Sequence, residues 1–121
     1  MPTREFVQAE VTFLTTSEGG RQQAPSLSTN QYRPHIVVGD PSQRRAIVDA
    51  TNTCSEKYCG VQFERASSEV RLGEPIVTTM RLMYSPHEMY DDLQPGVTFT
   101  VREGPVVVAF GHILKRWQEA Q

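Results

Sequence analysis

The stretch Phe6-Val7-Gln8-Ala9-Glu10-Val11-Thr12-Phe13-Leu14 decides the fold class. Val7, Ala9, Val11 and Phe13 alternate with Gln8, Glu10 and Thr12, a period of two. Successive side chains of a strand point to opposite faces, so this pattern describes a strand with one face in a core and the other in water. Glu18-Gly19-Gly20-Arg21 closes the segment with a turn signal.

The same kind of element recurs along the chain. Residues 22–30 are polar, with Pro25 and several serines, and read as a long loop. Tyr32-Arg33-Pro34 leads into the short strand His35-Ile36-Val37-Val38, closed by Gly39-Asp40-Pro41. Pro34 biases Arg33 toward an extended conformation, which suits a strand entry. Ala46-Ile47-Val48 is a further candidate strand, set in the least readable region, residues 42–57. Gly60-Val61-Gln62-Phe63 reads as a strand, and Leu72-Gly73-Glu74-Pro75 as a turn. From Ile76, the residues Ile76, Thr78, Met80 and Leu82 share one face, and Ser85-Pro86-His87 breaks the element. Residues 90–94 suit a single helical turn, and Pro95-Gly96 another turn. Val97, Phe99 and Val101 alternate with Thr98, Thr100 and Arg102, and Glu103-Gly104-Pro105 turns the chain into a last strand from Val106. That strand extends through Gly111-His112-Ile113-Leu114. Residues 115–121 read as a loosely packed polar tail, with a docking strip around Trp117 as the alternative. Short strands separated by Gly/Pro turns, without a sustained helical period, point to an all-β closed barrel or sandwich.

Composition sets the bounds. At 121 residues the chain holds one domain, taken as residues 1–114. With 38% apolar and 21% charged residues it can bury a core and is not disordered by composition. The net charge of −2 supplies no overall field toward nucleic acid, so any RNA contact must come from a local patch. No apolar run reaches the length of a membrane-spanning helix. Met1-Pro2-Thr3-Arg4-Glu5 lacks the basic and apolar regions of a secretion signal, so the expected location is cytoplasmic.

No set of residues is arranged for catalysis. Cys54 and Cys59 have a spacing unlike a zinc knuckle and read as reduced thiols; a bridge between them would need an oxidising compartment. His35, His87 and His112 are scattered, with no metal-ligand spacing and no Cys–His pair in a nucleophile motif. No G-x-x-x-x-G-K-[ST] loop is present to cradle nucleotide phosphates. The expectation is a non-enzymatic protein without cofactor, metal or nucleotide.

Three stretches together resemble the third, C-terminal domain of bacterial elongation factor Tu. F-V-Q-A-E-V-T-F-L-T-T-S-E-G-G-R, residues 6–21, is similar to that family's opening strand and E-G-G-R turn. Q-Y-R-P-H, residues 31–35, is similar to its G-Y-R-P-Q segment. L-G-E-P near Leu72, Y-S-P-H and F-T-V-R-E-G at residues 99–104 follow its P-G-D turn, its bend and its R-E-G-G turn. Order and spacing hold over most of the chain, with residues 42–59 unmatched. The resemblance implies a closed six-stranded antiparallel Greek-key barrel that works as a binding module. In the family this barrel contacts the T-stem backbone of aminoacyl-tRNA, packs on the sibling domains and meets the exchange factor.

Carried over by position, the resemblance places RNA- or partner-binding residues at Arg21 and Gln22, His35, Ser85, and Glu103 with Gly104. Arg21, Arg33 and Arg102 would form a phosphate-facing patch; the structural alternative leaves them solvated or pairs them with Glu18, Glu103 or Asp40, with Arg33 stacked beside Tyr32 and Pro34. The chain departs from the family at several of these places. Gln22 and Gln23 stand for a histidine and a threonine, Ser85 for a lysine or histidine, and Pro105-Val106-Val107 for G-R-T. Phosphate contacts need cations and free N–H groups, and these changes remove both. The expected partner is therefore a protein or a tRNA-like RNA of the translation machinery. The alternative is a regulatory or immunity-type interaction barrel, or a homodimer, with no role in translation.

Overall fold

The computed structural model describes residues 3–27, 31–46, 56–66 and 69–120. Six strands follow in chain order: β1 Thr3–Phe13, β2 His35–Val38, β3 Cys59–Ala66, β4 Pro75–Leu82, β5 Thr98–Glu103 and β6 Val106–Ala120. They close into one antiparallel barrel in the order β1-β4-β3-β2-β5-β6. β2, β3 and β4 form a meander and β1 lies beside β4, the Greek-key arrangement. Closure gives every strand a paired neighbour on both sides over at least part of its length.

The alternation read from the sequence is the inside–outside alternation of the wall. Val7, Ala9, Val11 and Phe13 of β1 are all within 1% of full burial, and with Phe63, Met80, Phe99 and Ile113 they fill the lumen. Burying a side chain of this size stabilises by about 1.5–3 kcal/mol, so the inward positions of six strands supply the main driving force. Gly111 marks the tightest approach in the wall. A Cβ there would lie 2.1 Å from the backbone oxygen of Glu10 and 3.1 Å from the ring of Phe99.

Bulges reset the alternation at three places. Glu64, Val108 and Leu114 are each an extra residue in the β3–β4, β5–β6 and β1–β6 ladders. After Leu114 the pairing continues, with Gln8 opposite Lys115, Phe6 opposite Trp117 and Arg4 opposite Glu119. The segment read from the sequence as a loose polar tail is therefore the outer half of β6, ordered by β1 through Ala120. Its polarity reflects exposure on a ribbon and not a lack of structure.

The registers define two rims. β1, β3 and β5 run toward one of them, and β2, β4 and β6 run away from it. The first rim holds the residues after Phe13, the start of β4 and the β5–β6 turn, where Gly104 adopts φ 60°. The opposite rim holds the start of β1, the end of β4 and a short 3-10 turn at Glu88–Tyr90, slightly earlier than the helical turn read from the sequence. There Tyr90 donates to the Gly60 carbonyl at 2.6 Å and accepts from the Tyr84 amide at 2.9 Å. Among the described residues, no helix is long and apolar enough to cross a membrane.

The described residues of the connection from β2 to β3 pack on the outside of the wall. Of this stretch, residues 39–46 and 56–58 are described, and Ile47, Val48 and Cys54 of the sequence reading lie outside the described residues. Arg45 bridges to Val106, the Arg44 guanidinium sits 5.2 Å from the Phe110 ring, and Tyr58 packs 5.7 Å from His35.

Candidate partner-binding rim

At the first rim, two turns quoted in the sequence meet. Arg21, after Glu18-Gly19-Gly20, donates from Nη1 to Glu103 Oε2 at 2.5 Å. Tyr32 donates its hydroxyl to the same oxygen at 2.6 Å. The Arg21 guanidinium also lies 5.4 Å from the Tyr32 ring centroid, within cation–π range. Tyr32 in turn packs edge-on against Phe63 at 5.2 Å and tilted against Phe13 at 6.0 Å. The polar cluster is thus bolted to the aromatic plug of the lumen.

The electrostatics follow from this geometry. Burial pushes the Tyr32 phenol pKa up, and the Glu103 hydrogen bond and charge push it further, so Tyr32 stays a donor. Burial works against the charge on Arg21, but the bond and charge of Glu103 outweigh it and leave the guanidinium firmly protonated. Arg21, Gln22, Gln23 and Glu103 line an open depression of about 400 Å³. Gln22 and Gln23 are exposed there, and each amide offers both a donor and an acceptor, the pair of functions a peptide backbone presents. Beside the depression the β5–β6 turn exposes Pro105 and Val106, the latter at 50%.

The structure brings Arg21, Gln22, Glu103 and Gly104 to this rim and separates the other candidates from it. Ser85 lies at the opposite rim, where its hydroxyl donates to Glu5 Oε1 at 2.5 Å. Glu5 also accepts from Arg116 Nη2 at 2.9 Å, and Arg116 donates to the carbonyl of Tyr90 at 2.5 Å. His35 stands on the outer wall beside Tyr58.

Arg102 corrects the expected phosphate-facing patch. Phe99 and Val101 face the lumen, so Arg102 faces outward, yet it is fully buried, with Glu56 and Tyr58 against it. Its Nη1 and Nη2 donate to the two carboxylate oxygens of Glu56, each at 2.8 Å, and Nε donates to Thr100 Oγ1 at 2.9 Å. Its partner is Glu56 and not the Glu18, Glu103 or Asp40 considered from the sequence. The stacking expected of Arg33 beside Tyr32 is made by Arg21 instead. Arg33 itself is exposed.

Tyr32, Glu5, Glu56 and Arg116 were not singled out as site residues. Tyr32 had a usable signal, since it sits inside the quoted Tyr-Arg-Pro stretch; Glu56 had none, because its partner is 46 residues away in sequence. Elsewhere, Cys59 carries a free, buried thiol that donates to the Met89 carbonyl at 3.2 Å, and burial pushes its pKa up, away from the nucleophilic thiolate. His87 accepts from the Met89 amide at 3.0 Å and caps the 3-10 turn. Among the described residues, no group of three or more His, Cys, Asp or Glu is placed to hold a metal ion. No protein-family model matches the chain.

Proposed function

We propose that this chain is a non-catalytic binding module of the kind that elongation factor Tu carries as its third domain, and that it engages a protein through the rim around Arg21, Gln22, Glu103 and Gly104. The closed six-stranded barrel is the architecture that the resemblance implies. Two of the turns that carry the resemblance meet in one ion pair at that rim.

The observation that favours protein over RNA is the pairing of the cations. Of the three arginines expected to face phosphate, Arg21 is held by Glu103 and Arg102 by Glu56. A phosphate approaching Arg21 would meet the Glu103 carboxylate as well, and affinity for a nucleic acid backbone scales with the phosphates neutralised. An exposed apolar anchor, Val106, beside a depression of amides and one ion pair matches the anatomy of a protein interface.

The test is a titration of the labelled chain with three probes: elongation factor Tu lacking its own third domain, the exchange factor, and deacylated tRNA at low salt. Saturable binding to either protein, weakened about tenfold by Val106→Asp, is the expected result. Val106 is half exposed, so that variant should keep its fold. Salt-sensitive, saturable binding to tRNA alone would replace the protein reading with the RNA one. Binding to none of the three would remove the translation partner.

A further inference from the structure

β6 has two halves with different neighbours. From Ala109 to His112 it lies between β5 and β1. Ile113 still bonds across to Gly96 and Val97, with its amide reaching the Val97 carbonyl at 2.8 Å. Beyond it β1 continues alongside to Ala120, and among the described residues no backbone hydrogen bond reaches the other side. Residues 114–120, Leu-Lys-Arg-Trp-Gln-Glu-Ala, therefore present an open strand edge, a template for pairing with another strand.

The side chains on that edge are organised. Lys115, Trp117 and Glu119 share the outer face with Gln8, Phe6 and Arg4. Phe6 stacks on Trp117 with centroids 5.7 Å apart. The Lys115 amine lies 5.1 Å from the indole ring, and Trp117 Nε1 donates to Glu119 at 2.8 Å. Lysine on an exposed edge usually opposes pairing. Here the opposite charge stands four residues further along the same edge.

We infer that this edge pairs antiparallel with the same edge of a second copy of the chain, in a register centred on Trp117. Two-fold symmetry then sets Lys115 opposite the second copy's Glu119, Glu119 opposite its Lys115, and the two indoles against each other. Other registers are worse. Centring on Lys115, Arg116 or Glu119 places that charge against its own copy, and centring on Gln118 leaves the lysine and glutamate unmatched. Of the five registers centred on residues 115–119, the charge pattern thus selects one. The result is a four-stranded ribbon joining two barrels, with Phe6 and Trp117 of both copies in one row across it. The inference is independent of the rim and its partner.

Sedimentation equilibrium of the chain alone, over a range of concentrations, tests it. The expected result is a dimer that dissociates on dilution. Lys115→Glu and Glu119→Lys, each alone, weaken it roughly tenfold or more, because both symmetric pairs become like-charged. The double variant K115E/E119K restores the dimer, since the attraction is rebuilt with reversed signs. Circular dichroism checks that each variant stays folded, and Val106→Asp, at the far rim, leaves dimerisation unchanged. A wild-type chain that is monomeric throughout would overturn the inference. So would a dimer unmoved by either single reversal, or one that the double variant fails to restore.

Discussion

Two arginine–carboxylate pairs, built from the same groups, do opposite work in this barrel. Arg102 and Glu56 are 0% and 7% exposed, bidentate, and sealed from solvent on the outside of the wall. Arg21 and Glu103 are 32% and 34% exposed and sit at an open depression. The first pair cannot meet a ligand without local unfolding, while the second has N–H groups and a carboxylate edge within reach of one. A formal charge in the sequence thus says little about recognition until its surroundings are known. Arg116 with Glu5, at 16% and 12%, lies between the two.

The largest effect should come from splitting the sealed pair. Glu56→Ala leaves Arg102 charged and buried without its counter-ion, and the expected loss is about 3–5 kcal/mol in urea unfolding. Replacing both together, Arg102→Met with Glu56→Leu, should recover most of that loss, because a buried ion pair gives back in attraction roughly what desolvation removes. A double variant as damaged as the single one would mean that the pair is specifically required to seat the connection.

The intermediate pair sharpens the gradient through pH. Burial raises the Glu5 pKa, but hydrogen bonds from Ser85 and Arg116 and the Arg116 charge outweigh it, and the net shift is downward. A carboxylate with a depressed folded pKa contributes stability that is fully present above its ordinary range and is lost as pH falls through the folded value. Glu5→Gln should therefore lower stability at neutral pH by about 1–3 kcal/mol and flatten the decline below about pH 5. A decline as steep as that of the wild type would assign the acid sensitivity to other carboxylates.

The rim pair should matter least to stability. Glu103→Gln is expected to cost under about 1 kcal/mol, since solvent screens a pair exposed to this degree. Its effect belongs in binding, where the freed Arg21 would raise any affinity for tRNA. A stability loss as large as that of the sealed pair would erase the contrast between them.

The strands were legible because the barrel wall repeats every two residues; Val7 to Phe13 of β1 carries that period cleanly, and in β4 Ile76, Thr78, Met80 and Leu82 share the inward face. The turns at Gly19-Gly20, Pro95-Gly96 and Gly104-Pro105 were legible from residue type alone. Arg102 was legible as outward-facing but not as buried, because Glu56 and Tyr58, which meet it, are remote in sequence and lie outside any periodic stretch. Half of the expected site converged, since Arg21 and Glu103 flank turns at one rim. Ser85 did not, because it follows β4, which runs to the other. The outer half of β6 was missed where its alternation skips a beat.

That skip at Leu114 has a consequence for how the strand tolerates change. Counted from Ile113, an unbroken strand would turn Trp117 into the lumen and Arg116 out to water; the extra residue reverses both. Removing Leu114 would leave Lys115, Arg116 and Trp117 facing as they do now, whereas smoothing the ladder with Leu114 in place would exchange an indole and a cation across the wall. One surplus leucine thus fixes which letters of the strand are displayed, and loss of the leucine itself is the change that display best survives.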